Sequence, residues 1–482
     1  MSNIESAKPQ HHDARESVPL LQKGAYGAGT LTLNLLPGAL GVFSFFLITA
    51  FGIDPFLAGL LGGLPRLFDA LTDPIMGFIT DNTKSRWGRR RPYIVVGAIL
   101  CGVFFAMLWQ LDPDASQEYN FWYFLIFSLI FTIGNTMFAT PFVGLGYEMT
   151  SDYNERTRLM GFAQTMGQIA WMIVPWFWVL IADPDLFSSQ AEGVQQLSIF
   201  VAGACITLGI LPGLFCRGID ATNMENRAEI SFSTIWSNLL QVFKGIKQVF
   251  RNAPFVRLCA ATFLVFNGFQ LVASFSYFII VFHMFGGDYG ATGTWPAWFS
   301  TVSAIVTAVL VIPVITLMAK KWGKRKAFII STAISIVGYG LKWWGFSPDN
   351  PWMIFMPIPL MSFGIGGLFT LMMSMTADVC DLDELNNGMP RKEGTFGAIY
   401  WLMVKIGQAL ALILGGLVLK IVGFDPGVAE QSVETITNLR LADIIIPAST
   451  AFLAILVMWK YDLTEQKALE IKDKLIELRG EL

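Results

Sequence analysis

An arginine and two aspartates stand inside an apolar stretch long enough to cross a lipid bilayer, PFLAGLLGGLPRLFDALTDPIMGFIT, residues 55–80. An ionised side chain near the bilayer centre costs roughly 2.5–3.5 kcal/mol, so such residues face a cavity, find a partner or bind an ion. Arg66, Asp69, Thr72 and Asp73 are three or four apart and share one helix face. Two readings follow. The oxygens of Asp69 and Asp73 form a site for Na⁺ or a shared proton, or Arg66 and Asp69 form a structural ion pair at a helix seam.

The rest of the sequence supplies the elements that must hold these groups. Of 482 residues, 54% are hydrophobic and 14% charged, against roughly 25% charged in soluble domains. The 40 Phe and 15 Trp suit helix seams and interfacial belts. Cys101, Cys205, Cys216, Cys259 and Cys380 form no CxxC pair, so neither a disulfide framework nor a zinc site is expected. A net charge of −3 says little about partners, and with no basic patch in the sequence nucleic acid is not an expected one. Residues 1–23, with His11 and His12, lack the apolar core of a signal peptide.

Apolar runs near 20 residues predict twelve transmembrane helices, at 28–51, 55–80, 92–110, 121–147, 158–183, 195–216, 255–284, 295–319, 326–346, 351–378, 394–422 and 441–460. Lys84, Arg86, Arg89, Arg90 and Arg91 follow the second span, and Lys320, Lys321, Lys324, Arg325 and Lys326 the eighth. The alternate loops at 111–120 and 182–193 have no Lys or Arg. This bias predicts both termini in the cytoplasm. Lys342, Lys420 and Arg440 break the pattern and are expected to snorkel from helix ends.

SRWGRRRPY at 85–93 and KKWGKRKAF at 320–328 occupy matching places, each between the second and third spans of a half. The expected fold is therefore an all-α integral membrane protein of two pseudo-symmetric six-helix bundles, with a site between them at the midplane. Its expected parts are a tail at 1–27, bundles at 28–216 and 255–460, a linker with an amphipathic helix at 217–254 and a helical tail at 461–482.

Three motifs carry a resemblance. RLFDALTDPIMGFITDNTKSRWGRRRPY at 66–93, PFVGLGYEMTSDYNERTRL at 141–159 and ADVCDLDELNNGMPRKEGTFGAIYWLMVKIGQ at 377–408 are similar, in the right order, to signatures of the glycoside–pentoside–hexuronide:cation symporters. These are the melibiose-permease-like branch of the major facilitator superfamily. The resemblance implies a cation site at Asp69, Thr72, Asp73 and Thr136, with Thr72 in place of an Asn. It also implies a coupling role for Lys405, beside Arg66, and no cofactor beyond Na⁺ or H⁺. The family's sugar-binding positions fall on Asn34, Ala139, Val143 and Gln164, so its charged hydroxyl-binding groups are missing and melibiose itself is not expected. Asn34 and Gln164, with Trp171, Tyr400 and Trp401 as stacking aromatics, are the expected contacts for a different glycoside. A distant animal branch that carries lysolipids leaves an amphiphile open.

On the cytoplasmic side, Arg86, Arg89, Arg90 and Arg91 are expected to gate through ion pairs or helix C-terminal carbonyls, or else only to set topology. Asp81 is expected to pair with this cluster. Glu148 and Asp152 are expected to pair with Arg156 or Arg158, and Asp378 and Asp381 with Arg391 or Lys392. Pro65, Pro74, Pro141 and Pro175 predict kinks, and Gly62, Gly63 and Gly77 close helix contacts. The function expected is inward symport of a sugar or glycoside by a monomer in a bacterial inner membrane. An enzyme is not expected, since no nucleophile–base set, HExxH or P-loop is present. A receptor without transport is disfavoured by the acid pair and Lys405.

Overall fold

The computed structural model describes residues 17–150, 153–217, 229–387, 393–428 and 430–479, and among them there is no strand. The first half contains α1 (Leu20–Thr49), α2 (Pro55–Asn82), α3 (Arg91–Leu108), α4 (Gln117–Glu148), α5 (Tyr153–Ile173), α6 (Trp176–Ala182) and α7 (Gln190–Phe215). Helix α8 (Phe232–Val249) lies in the linker. The second half contains α9 (Ala253–Phe278, continued by a π-helical turn at Ile279–Met284), the short α10 (Tyr289–Thr292) and α11 (Trp295–Val306). A second π-helical turn at Thr307–Val311 leads to α12 (Ile312–Trp322), followed by α13 (Lys324–Gly345), α14 (Ile358–Asn387), α15 (Glu393–Ile421), α16 (Val433–Trp459) and the tail helix α17 (Glu465–Arg479).

Among the described residues, eleven helical segments are long and apolar enough to cross a membrane. Helix α2, 28 residues, has the length but not the composition, because Arg66, Asp69 and Asp73 lie in it. It packs between α4 and α15 and so completes six crossings per half.

The boundaries depart from the sequence expectation where local chemistry decides them. Ser432 caps α16 through Thr435 N–H, which starts that span at Val433 rather than 441. Pro175 lacks the N–H needed to continue a helix, so the fifth span is two pieces, α5 and α6. Helix α14 continues to Asn387, beyond the expected 378.

Both halves use one packing plan. Helix α1 packs on α5 and α7 as α9 packs on α15 and α16, and α3 packs on α4 and α7 as α13 packs on α14 and α16. The hydrophobic core is divided unevenly. At the end away from the termini a single cluster joins the halves, with Phe45, Ile48, Phe278, Phe299 and Phe424 buried together. Toward the termini each half has its own cluster, around Phe138 and Phe142 in one and around Phe255, Phe396 and Tyr400 in the other. Rings cross between the halves at the far end in the pairs Phe45–Phe278, Trp176–Trp298 and Trp178–Tyr289.

The closest seam is α2 on α15. A Cβ added at Gly416 would sit 2.1 Å from Pro55 O, one at Gly59 2.6 Å from Leu412 O, and one at Gly63 2.8 Å from Ala409 O. Gly62 meets only the tip of Leu412 at 3.2 Å, and Gly77, expected to mark a close contact, has its nearest neighbour at 3.9 Å. Side chains at Gly59 or Gly416 therefore force backbones apart. Gly59→Val or Gly416→Val is expected to destabilise the folded protein by about 1–3 kcal/mol, read as a lowered thermal unfolding temperature in detergent, with Gly77→Ala near wild type.

Candidate cation and substrate site

Helix α2 carries its charged groups between two prolines. Pro65 precedes Arg66 and Pro74 follows Asp73, and each removes a backbone N–H donor. Asp69 is buried, with a side-chain exposure of 8%, and Asp73 is partly open at 36%. Two like charges about 4 Å apart repel by roughly 4 kcal/mol at the effective dielectric of a protein site. A counter-charge is needed, and α15 supplies it. Lys405 Nζ donates to Asp69 Oδ2 at 2.6 Å and also to Asp73 Oδ2. The ammonium thus crosses from one half of the molecule to bridge both carboxylates of the other.

Helix α4 completes the oxygen cluster. Thr136 Oγ1 donates to Asp69 Oδ1 at 2.9 Å, and Thr140 Oγ1 donates to Asp73 Oδ1 at 3.3 Å. Thr72 Oγ1 stands 3.0 Å from Thr136 Oγ1 and 3.2 Å from Asp69 O. Because the Thr136 proton is used on Asp69, Thr72 is the donor wherever those two hydroxyls bond. The structure therefore gathers Asp69, Thr72, Asp73, Thr136 and Lys405. Thr140 was not singled out in the sequence, although it lies one helical turn after Thr136 as Asp73 lies one turn after Asp69. The alternative ion pair of Arg66 with Asp69 is not formed. Arg66 instead lines a cavity beside Asp69 between α1, α2 and α4.

The residues expected to meet a substrate divide. Trp171 Nε1 donates to Asn34 Oδ1 at 3.1 Å, tying α5 to α1, and Asn34 Nδ2 donates to Thr30 O at 2.9 Å. Trp171 remains 46% exposed and Trp401 47%. Gln164 is exposed on the α5 face that carries Trp171. Tyr400 must be removed from the set: it is 0% exposed, inside the core of the second half. The adjacent positions 400 and 401 point apart on α15, so only Trp401 is exposed.

The residues expected to gate lie in clusters within each half. Glu148 Oε1 accepts from Arg89 and, at 2.8 Å, from Arg90. Arg90 also donates to Asp81 at 2.9 Å, across the space left by the missing side chain of Gly144. Arg91 donates to Gly213 O at 2.7 Å and Leu214 O at 2.6 Å, capping the last turn of α7. Arg86 is exposed. Among the described residues Arg158 meets Glu155, at 3.8 Å, and is itself 77% exposed. Hydrogen bonding from Lys23, helped by the Val18 N–H, holds the Glu155 carboxyl below its ordinary range. Asp378 pairs with Lys324 at 2.7 Å, and Asp381 lies one turn further along α14. Asp152, Arg391, Lys392 and the side chain of Arg156 lie outside the described residues.

Three further charged contacts were hidden in the sequence. Lys342, expected to snorkel, is instead paired with Asp443, each 1% exposed. Lys420 Nζ lies 3.0 Å from Asp54 Oδ2, while Asp54 Oδ1 caps α2 by accepting from Phe56 and Leu57 N–H. Arg440 lies 4.1 Å over the Trp343 ring.

A family model described as MFS/sugar transport protein matches residues 25–465. The chain is 24% identical to the glucuronide carrier protein homolog of Escherichia coli, over 90% of each chain. It is 23% identical to the sodium-dependent lysophosphatidylcholine symporter 1 of Gallus gallus, over 98% of this chain and 92% of that one. The crystal structure of the nucleoside transporter NupG superposes with a TM-score of 0.66 at 15% identity, over 92% of this chain and 100% of that one. These proteins are transporters, not enzymes.

If Lys405 is the counter-charge of both acids, its removal leaves an uncompensated pair. Lys405→Met is expected to cost about 3–5 kcal/mol, and Asp73→Asn added to it to recover part of the loss. Thermal unfolding of the two variants in cation-free buffer checks this.

Proposed function

We propose that this chain, which belongs to the MFS/sugar transport protein family, is a cation-coupled symporter that moves a small solute by alternating access. The observation that carries the reading is the Lys405 bridge, in which the second half neutralises the acid pair of the first. Carboxylate and hydroxyl oxygens of Asp69, Asp73, Thr72, Thr136 and Thr140 fit a hard cation such as Na⁺. Two adjacent carboxylates equally suit a shared proton.

The coupling step is an exchange of counter-charge. A cation at Asp69 and Asp73 takes over the role of the ammonium, which frees Lys405 and the second half to move. The cation therefore shifts the balance between conformers by its differential affinity for them. The shared core at the far end and the separate cores toward the termini suit a conformer open on the terminal side. The excess of Lys and Arg in the loops on that side supports reading it as the cytoplasmic one.

The solute is read as a sugar or glycoside, met by Asn34, Gln164, Trp171 and Trp401, and the protein as a monomer in a bacterial inner membrane. A lysolipid-like amphiphile is the second reading. It is favoured by the relation to the lysophosphatidylcholine symporter and by the absence of acids at Asn34 and Ala139.

Reconstituted protein, offered a panel of labelled mono- and disaccharides under Na⁺ or H⁺ gradients, is expected to take up one of them with one gradient. Asp73→Asn is expected to abolish the driven uptake at least tenfold, and Lys405→Ala to uncouple it from the gradient. Gradient-driven uptake that survives Lys405→Ala would remove the exchange mechanism. Uptake confined to lysolipids would select the second reading.

A further inference from the structure

Within the charged cluster on α2, one group is left without a bonded partner. Lys405 satisfies both carboxylates, while Arg66, among the described residues, has no hydrogen bond and no ion pair. A guanidinium carries five donors and stays charged at any working pH. At the depth of the acid pair, idle donors are a cost unless something arrives to use them.

The cavity at Arg66 is built to admit a small polar group. It has about 30 Å³ of space, enough for two waters or a group of carboxylate size. Arg66 and Asp69 of α2 face Ser44 of α1 and Ser128 and Asn135 of α4 across it. The two serine protons are spent on their own helices, Ser44 on Leu40 O at 2.6 Å and Ser128 on Leu125 O at 2.8 Å. The Asn135 amide, like the guanidinium, has no partner among the described residues. Free donors of Arg66 and Asn135 therefore meet in one small space otherwise walled largely by Leu40, Leu61, Phe124 and Phe131, and a guanidinium in such surroundings favours an acceptor-bearing, negative group.

Charge balance gives the same sign. With both acids ionised, Asp69 and Asp73 offset Arg66 and Lys405, and the cluster is neutral. A bound coupling cation adds one positive charge to a region of low dielectric. A single negative charge on the solute restores neutrality, so each ligand raises the affinity of the other, which is reciprocal coupling between two sites.

Resting on the symporter reading above, we propose that Arg66, with Asn135, recognises one negatively charged group on the transported molecule, and that the solute is a monoanion bound together with its cation. The group is a carboxylate, sulfonate or phosphodiester, carried either by a sugar acid or by a lysolipid head.

Matched pairs test this on the purified full-length protein, by binding titration in detergent with and without Na⁺ and at pH 5.5 and 7.5. One pair is methyl β-glucuronide and methyl β-glucoside, and the other is a lysophosphatidylglycerol and the corresponding monoacylglycerol. In one pair the anion is expected to bind at least about tenfold tighter than its neutral partner, and only when cation is supplied. That pair identifies the source of the charge. Arg66→Gln is expected to erase the discrimination, so that the anion binds no tighter than its neutral partner, and Arg66→Lys to keep part of it should the glutamine variant not fold. Equal affinity within both pairs, binding of neither anion, or discrimination that persists in Arg66→Gln overturns the proposal. Gradient-driven uptake of the neutral glucoside alone would overturn it too, and would leave the symporter reading standing.

Discussion

Two carboxylates one helical turn apart in a membrane-spanning helix cannot both stay charged alone, and the middle of this structure is arranged around that constraint. Asp69 and Asp73 are answered by the hydroxyls of Thr136 and Thr140 on α4 and by one ammonium from α15. The ammonium reaches them because α2 and α15 touch backbone to backbone at Gly59, Gly63 and Gly416. A seam without glycine would hold the two helices further apart and lengthen the reach required of Lys405.

The same seam separates what is fixed in the molecule from what is free to change. Beyond the acid pair, toward the end away from the termini, the halves share one core and a row of crossing aromatic pairs. Asp54 there holds two elements at once, capping α2 with one oxygen and meeting Lys420 of α15 with the other. Toward the termini each half keeps its own core, and the clusters of Arg89, Arg90 and Glu148, and of Lys324 and Asp378, stay inside one half. Lys405 stands between these regions, where a change of counter-charge acts on both.

Comparison with the other deep ion pair shows why the α2 site is the one suited to exchange. Lys342 and Asp443 are each 1% exposed and belong to the same half, so the pair braces α13 against α16. Removing one partner of such a pair leaves a buried charge, while the pair itself is weak evidence for stability. Asp73, at 36%, and Lys405, at 27%, keep an opening through which an ion can arrive. Burial and placement across the halves, rather than the mere presence of acid and base, distinguish a site that can change its partner from one that cannot.

Much of this was legible in residue order. The acids on one face of α2, the number of spans, the doubled basic loops and the candidate role of Lys405 follow from spacing, hydropathy and motif, because these are local properties or are carried by contiguous runs. Positions that depend on another helix were not legible. Arg66 and Lys405 are both basic residues inside apolar runs, and spacing left an Arg66–Asp69 ion pair as the alternative to a cation site; the approach of α15 brings Lys405 to Asp69 instead. Tyr400 and Trp401 are neighbours of like chemistry, yet rotation of α15 buries the first and exposes the second. Asp443 escaped notice because its helix was placed to begin at 441, where an acid near a helix end needs no partner. The cap at Ser432 starts the helix at Val433 and carries Asp443 about 15 Å into it. The sequence by itself determined which charges enter the membrane and on which faces. The tertiary structure decided which of them meet, because pairing across helices is set by how closely backbones approach and how each helix is turned.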